Sequence, residues 1–158
     1  MAIPPRKKWE SLGGAVPLFE RLIDLEPDVP AESKPLSMYN KDELIGSVIK
    51  EASYLLNTRC KIPYKDYERM DVASLSYGVP QLYGLFDASY ADPSKTEDRL
   101  KLCRFIANAL RIFDPRLDNV SVIIDRYDQL TQRAHLTITA DLKMGNIVEA
   151  VSFPVEMG

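Results

Sequence analysis

From Val120 onward the apolar residues fall on every second position, and this constrains the fold more than any other pattern in the chain. Val120, Val122 and Ile124 alternate. Ala134, Leu136, Ile138 and Ala140 follow, then Ile147, Val151, Phe153 and Val155, with Glu149 in phase and Val148 and Ala150 on the other face. Side chains on a strand point to opposite faces in turn, so a period of two means one buried face and one wet face. Asp128-Gln129 and Gly145-Asn146 supply the turns. The last forty residues therefore predict an antiparallel three-stranded meander.

A sheet with one apolar face needs a layer to cover it, and two helical patterns precede it. In residues 40 to 56, Leu44, Ile45, Val48, Ile49, Ala52, Leu55 and Leu56 make one stripe at helical spacing. Asn40 stands at the N-cap, with Glu43 in the capping-box position. Asn57 reads as the C′ residue, because asparagine accepts left-handed geometry at modest cost. Arg59 then presents a cation just past the helix end. In residues 97 to 113, Leu100, Cys103, Ile106, Ala107, Leu110 and Phe113 mark the buried face. Pro115 stops this helix at or before Asp114, since the residue before a proline avoids α geometry. Helices followed by strands predict an α+β fold, two main amphipathic helices on a C-terminal three-stranded antiparallel sheet.

The first 39 residues differ. Pro4, Pro5, Pro17, Pro27, Pro30 and Pro35 break any long element. Leu18, Phe19, Leu22, Ile23 and Leu25 keep helical spacing among them. We read residues 1–39 as a flexible leader with a short amphipathic segment, and 40–158 as the domain. A segment this short does not fold alone, so it lies on its own domain or on a partner. Residues 61 to 95 are turn-rich, with Tyr64, Tyr67, Tyr77, Tyr83, Tyr90 and Phe86 to pack them onto the helices. Gly78, before Val79-Pro80, reads as a turn residue with positive φ.

Composition narrows the function. Net charge is −3 over 158 residues, which gives no basic field for nucleic acid. Cys60 and Cys103 are too few and too far apart for a disulfide framework or a zinc cluster, and suit a reducing compartment. Arg6, Lys7 and Lys8 are not followed by an apolar signal region, and no run nears the roughly 18 apolar residues of a membrane helix. The expectation is a soluble cytoplasmic protein without membrane insertion.

Chemistry finds little to build on. The one histidine, His135, lies on the strand face opposite Leu136 and Ile138. It reads as a surface residue, with no nucleophile elbow, no second catalytic partner and no metal-ligand spacing. Gly13-Gly14 lacks the lysine and strand context of a phosphate loop. The 23 acidic residues place some pair at glycosidase distance by chance alone. No catalytic residue, metal or cofactor is expected. Phe113-Asp114-Pro115-Arg116-Leu117 stands apart, as a proline-locked turn holding a carboxylate and a guanidinium between apolar anchors. Either Arg116 offers its planar fork to a partner's carboxylate or carbonyl, or Asp114 caps the turn and Arg116 is an ordinary solvated side chain.

Leu18-Phe19-Glu20-Arg21-Leu22, Leu55 to Arg59, Tyr77-Gly78-Val79-Pro80, and Phe113 to Leu117 before a β meander occur in this order. The set resembles TssE, the lysozyme-like baseplate subunits of type VI secretion systems, which are similar to the small baseplate wedge protein of contractile-tail phages. The resemblance implies a non-enzymatic part that links the wedge core to the contractile sheath and seeds sheath assembly. By that likeness Asp114, Pro115 and Arg116 match a Glu-Pro-Arg motif that docks on the wedge, with aspartate replacing glutamate. Asn57 and Arg59 belong to the helix-end motif. Leu18, Phe19, Arg21 and Leu22 form the leader docking segment, and Ile147, Glu149, Val151 and Phe153 stand on the strand that meets the sheath. The implied partners are the wedge subunits TssF and TssG, with TssK as a further candidate, and the sheath subunits TssB and TssC, at the cytoplasmic face of the inner membrane. Two other functions fit such a domain: a lysozyme-like peptidoglycan hydrolase, and a regulatory binding module of the same fold.

Overall fold

A computed structural model of the chain describes residues 13–23, 27–28, 38–71, 75, 78–86, 95–128 and 130–158. Leu25, Tyr77, Tyr90 and Gln129 lie outside the described residues. The C-terminal meander is present as β3 (Leu117–Asp128), β4 (Arg133–Met144) and β5 (Ile147–Met157), with β4 central. β4 and β5 pair without interruption from Ala134↔Met157 to Met144↔Ile147. The β3–β4 register slips between Asp118 and Ser121 and between Ile124 and Arg126. Asn119, in the first slip, has a φ of 49°. The alternation does what the sequence asks. Ala134, Leu136, Ile138, Ala140, Leu142 and Met144 are buried along β4, and Val151, Phe153 and Val155 along β5. Leu136 and Ile138 are fully enclosed, each contributing about 1.5–3 kcal/mol through burial. Ile147 departs from the pattern and is exposed at the hairpin end.

Two long helices cover the inner face: α2 (Lys41–Leu56) against β5 and α4 (Thr96–Phe113) against β3. The capping box of α2 is complete, with Asn40 Oδ1 accepting from Glu43 N at 2.9 Å and Glu43 Oε2 accepting from Asn40 N at 2.8 Å. Its buried residues are Leu44, Ser47, Val48, Ala52, Leu55 and Leu56, so a serine enters the stripe while Ile45 and Ile49 sit at its margin. The buried face of α4 is Leu102, Phe105, Ile106, Ala109, Leu110 and Ile112. This corrects the face read from sequence: Leu100 is exposed and Cys103 and Ala107 are marginal. The helix carries two overlapping apolar stripes, and the one that meets both β3 and the aromatic cluster wins. Tyr67, Phe86 and Phe105 form that cluster, with ring centroids of Tyr67 and Phe86 each within 4.5 Å of Phe105. Tyr67 comes from α3 (Tyr64–Arg69), a short helix in the stretch read as turns.

Two glycines hold the irregular region together. Gly78 lacks the positive φ expected of it; a Cβ there would lie 2.2 Å from the Phe113 ring, so its role is close approach. Positive φ falls instead on Gly84, at +99°, whose backbone passes against Thr58 O. Beside it, Leu85 N donates to Thr58 O at 2.8 Å and Cys60 N donates to Leu85 O at 2.7 Å. No helix among the described residues is long and apolar enough to cross a membrane.

At the N-terminal side, β1 (Gly13–Ala15) pairs antiparallel with β2 (Met38–Asn40), and Val16 is buried. Pairing thus links the 1–39 segment to the residue that caps α2. The helix α1 (Leu18–Arg21) follows β1 directly.

Candidate functional site

The chain leaves α4 at Asp114, whose extended backbone (φ −119°, ψ 91°) is what a residue before proline adopts. Asp114 N still donates to Leu110 O at 2.8 Å, and Leu117 N donates to Asp114 O at 3.0 Å, which closes a tight turn into β3. Within it the two charged side chains meet. Arg116 Nε donates to Asp114 Oδ1 at 2.8 Å and Arg116 Nη2 to Oδ2 at 2.7 Å, a bidentate pair. The Arg116 backbone N–H also donates to Oδ1, at 3.1 Å. Asp114 is buried and the Arg116 side chain is 19% exposed. Burial pushes the guanidinium down, but the Asp114 carboxylate outweighs it and holds Arg116 above its ordinary value. Both readings of this turn gave Arg116 an outward role; in the folded chain most of its fork is engaged internally.

The third nitrogen leads further in. Arg116 Nη1 donates to Ser47 Oγ at 2.9 Å, which accounts for the buried serine of α2. Ser47 Oγ in turn donates to Glu20 Oε2 at 3.2 Å. Glu20 also receives Tyr39 Oη at 2.8 Å and Lys50 Nζ at 3.2 Å, and its own side chain is 9% exposed. Desolvation pushes the Glu20 carboxyl up; the bonds from Tyr39, Lys50 and Ser47 outweigh it and hold the group below the usual glutamate value. Tyr39 is moved the other way, raised by burial and by the Glu20 carboxylate it serves. One polar network therefore runs from the α4–β3 turn through α2 to α1.

Glu20 turns inward while its neighbours turn outward. Leu18, Phe19 and Leu22 are 70%, 73% and 73% exposed, and Arg21 is exposed beside them. Sequence reasoning named these four and passed over the acid between them. It also passed over Ser47, although a hydroxyl three residues after Leu44 and one before Val48 was a readable signal that the stripe had a polar customer.

The other singled-out residues lie apart from this network. Asn57 has φ −101° and ψ 12°, so the left-handed C′ role is incorrect. Its side chain works instead: Nδ2 donates to Ser53 O at 2.9 Å and to Glu156 O at 3.1 Å, and Oδ1 accepts from Gly158 N at 2.9 Å. This ties the end of α2 to the end of β5. Arg59 is exposed on the short bridge to Leu85. On β5, Val151 and Phe153 point into the core, Ile147 is exposed, and Glu149 pairs with Lys41 at the start of α2. His135 is exposed on β4. Among the described residues no cluster of three or more histidine, cysteine or acidic side chains could hold a metal ion.

Two helices on an antiparallel meander, with an arginine turn where helix passes into sheet, define a small α+β domain. The chain matches the family described as baseplate wedge protein gp25 over residues 42–147 and belongs to it; this is the family of TssE and of phage gp25. The membership assigns a structural role in the baseplate of a contractile machine. No curated protein sequence matches the chain.

Proposed function

We propose that this chain is the non-enzymatic adaptor of a type VI secretion baseplate, joining the wedge core to the contractile sheath at the cytoplasmic face of the inner membrane. The observation that carries this reading is the exposed face of α1. Leu18 and Phe19, with Leu22 at the C-cap, stand in solvent on a helix that the inward-turned side chain of Glu20 pins in place. Apolar side chains held out on a fixed helix suit a partner's groove. With the Asp114–Arg116 turn behind it, this side of the domain faces the wedge subunits TssF and TssG, and TssK where it joins them. The sheath subunits TssB and TssC meet the sheet edge at β5. β5 pairs only with β4 among the described residues, so its edge from Val148 to Ser152 is offered for strand addition, while Pro154 lacks an N–H and Asn57 already holds the Glu156 carbonyl. Because Val151 and Phe153 face the core, the strand offers its backbone edge and the side chains of Val148, Ala150 and Ser152.

The test is capture of the full-length chain by purified wedge core and, separately, by sheath. Arg116→Ala and the pair Leu18→Asp, Phe19→Asp are expected to lose the wedge core and keep the sheath. Wedge capture at wild-type level by both variants overturns the assignment.

A further inference from the structure

The polar network links two elements that the proposed function uses separately. Arg116 and Glu20 are 96 positions apart, yet one hydroxyl stands between them. Ser47 Oγ accepts from Arg116 Nη1 at 2.9 Å and donates its single proton to Glu20 Oε2 at 3.2 Å. Ser47 is 5% exposed, so water cannot readily replace either partner. α1 is four residues long and has no buried residue of its own. Helices this short are not stable in isolation. Its anchors are Val16 before it and Glu20 within it, and Glu20 is held by Ser47, Tyr39 and Lys50.

We infer that Glu20 and Ser47 are positioning residues for Arg116, and that through them the leader helix and the Asp114–Arg116 turn act as one coupled unit. Asp114 fixes two of the guanidinium nitrogens from one side, and Ser47 fixes the third from α2. Donation to Glu20 fixes the rotation of the serine hydroxyl, so that its lone pairs face Arg116 Nη1. Docking of α1 therefore orients the hydroxyl, and the hydroxyl orients the fork. Coupling between two sites is reciprocal, so disturbing Arg116 must loosen α1 as surely as disturbing Glu20 loosens the turn. A partner that grips the exposed face of α1 stabilises the aim of Arg116, and one that engages Arg116 feels whether α1 is docked.

Limited proteolysis of the full chain reads this directly. Arg21 is an exposed tryptic site at the end of α1, and cleavage after it requires the helix to lift away. When opening is fast, the cleavage rate follows the open population. Initial rates at the Arg21–Leu22 bond, followed by mass spectrometry, are expected to rise about tenfold in Ser47→Ala and in Glu20→Gln, the size of one lost charge-assisted bond. Arg116→Lys is expected to raise the same rate about threefold to tenfold through the reciprocal coupling. Ser47→Thr keeps the hydroxyl and returns the rate to within about twofold of wild type. The Lys143–Met144 bond inside β4 is the control for general loosening. Rates at Arg21 that stay within about twofold of wild type in Arg116→Lys and Ser47→Ala overturn the coupling, as does an equal acceleration at Lys143.

The consequence for assembly rests on the proposed function, and the two fail separately. Ser47→Ala is expected to weaken wedge-core capture about tenfold with the sheath interaction unchanged. Faster cleavage at Arg21 with undiminished capture by both Arg116→Ala and the Leu18→Asp, Phe19→Asp pair keeps the coupling and removes the wedge role. Lost capture with unchanged cleavage does the reverse.

Discussion

Asp114 and Arg116, two residues apart across a proline, close a bidentate ion pair with both oxygens of one engaged by two nitrogens of the other, at 2.8 and 2.7 Å. The short reach of aspartate matters here. Its carboxylate lies close enough to the turn to accept the Arg116 backbone N–H as well, so one side chain satisfies the turn and the guanidinium together. The turn that resembles a docking motif is thus also a structural joint between α4 and β3.

Removing one partner of such a pair strands the other in a largely desolvated place. Asp114→Ala is expected to lower stability by about 3 kcal/mol, because Arg116 is left without its main acceptor. The double variant Asp114→Ala, Arg116→Met removes both charges and is expected to recover a good part of that loss. Urea denaturation of the three proteins measures it. A double variant less stable than the single would mean that the pair contributes little beyond packing.

Asn57 is expected to matter for the sheet rather than for helix geometry. Asn57→Ala loses two donated bonds and one accepted bond, all partly solvated, for an expected cost of about 2 kcal/mol. Amide exchange should rise at the end of β5 and the facing start of β4, where Ala134 and His135 pair with Met157 and Glu156. Asn57→Gly is expected to behave like Ala, since the native φ of −101° makes no demand for left-handed freedom. A stable Gly variant would restore the backbone explanation.

The contrast between what the sequence disclosed and what it hid follows the range of the interactions. The Asn40–Glu43 box is complete within three residues, and the stop before Pro115 within one, so both were legible. The alternation of β4 was legible because every second side chain there meets the same core. Asn57 resembled a left-handed cap because its type permits one, but two of its three side-chain partners lie 99 and 101 residues away. The face of α4 was ambiguous because ten apolar side chains make two stripes, and only β3 and the Tyr67–Phe86–Phe105 cluster decide between them. Of the candidate site, the turn and the outward residues of α1 were readable. Ser47 was readable as a hydroxyl inside an apolar stripe, but its partners were not, and Glu20 was not, because each needs the other's position to make sense.

The network also titrates. Glu20 is held below its ordinary value of 4.5 in the fold. A carboxyl depressed in the native state stabilises it above the unfolded value and loses that contribution as pH falls through the folded one. The wild-type protein should therefore melt higher than Glu20→Gln at pH 6 to 7. The gap should begin to close as the pH falls below about 4.5 and should vanish once the pH has passed through the lowered folded value. A difference that does not change at all as the pH falls would assign the effect to shape rather than charge.

Gly84 and Gly145 both have positive φ, +99° and +60°, yet their replacement should differ sharply. At Gly145, in the β4–β5 turn, a Cβ meets nothing within 4 Å, so Gly145→Ala bears only the left-handed strain of about 1 kcal/mol. At Gly84 a Cβ would lie 2.4 Å from Thr58 O, on the backbone bridge that joins Thr58 and Cys60 to Leu85. That oxygen accepts from Leu85 N, so it cannot retreat without breaking the bridge and shifting the buried Leu85 and Phe86. Gly84→Ala is expected to cost about 3 kcal/mol or more, adding steric displacement to strain. Gly145→Asn, which tolerates left-handed geometry, should be nearly neutral, and Gly84→Asn should be as damaging as alanine. Thermal melts of the four variants decide it: equal losses at the two sites would show that dihedral strain alone governs both, and that the Thr58–Leu85 bridge is free to move.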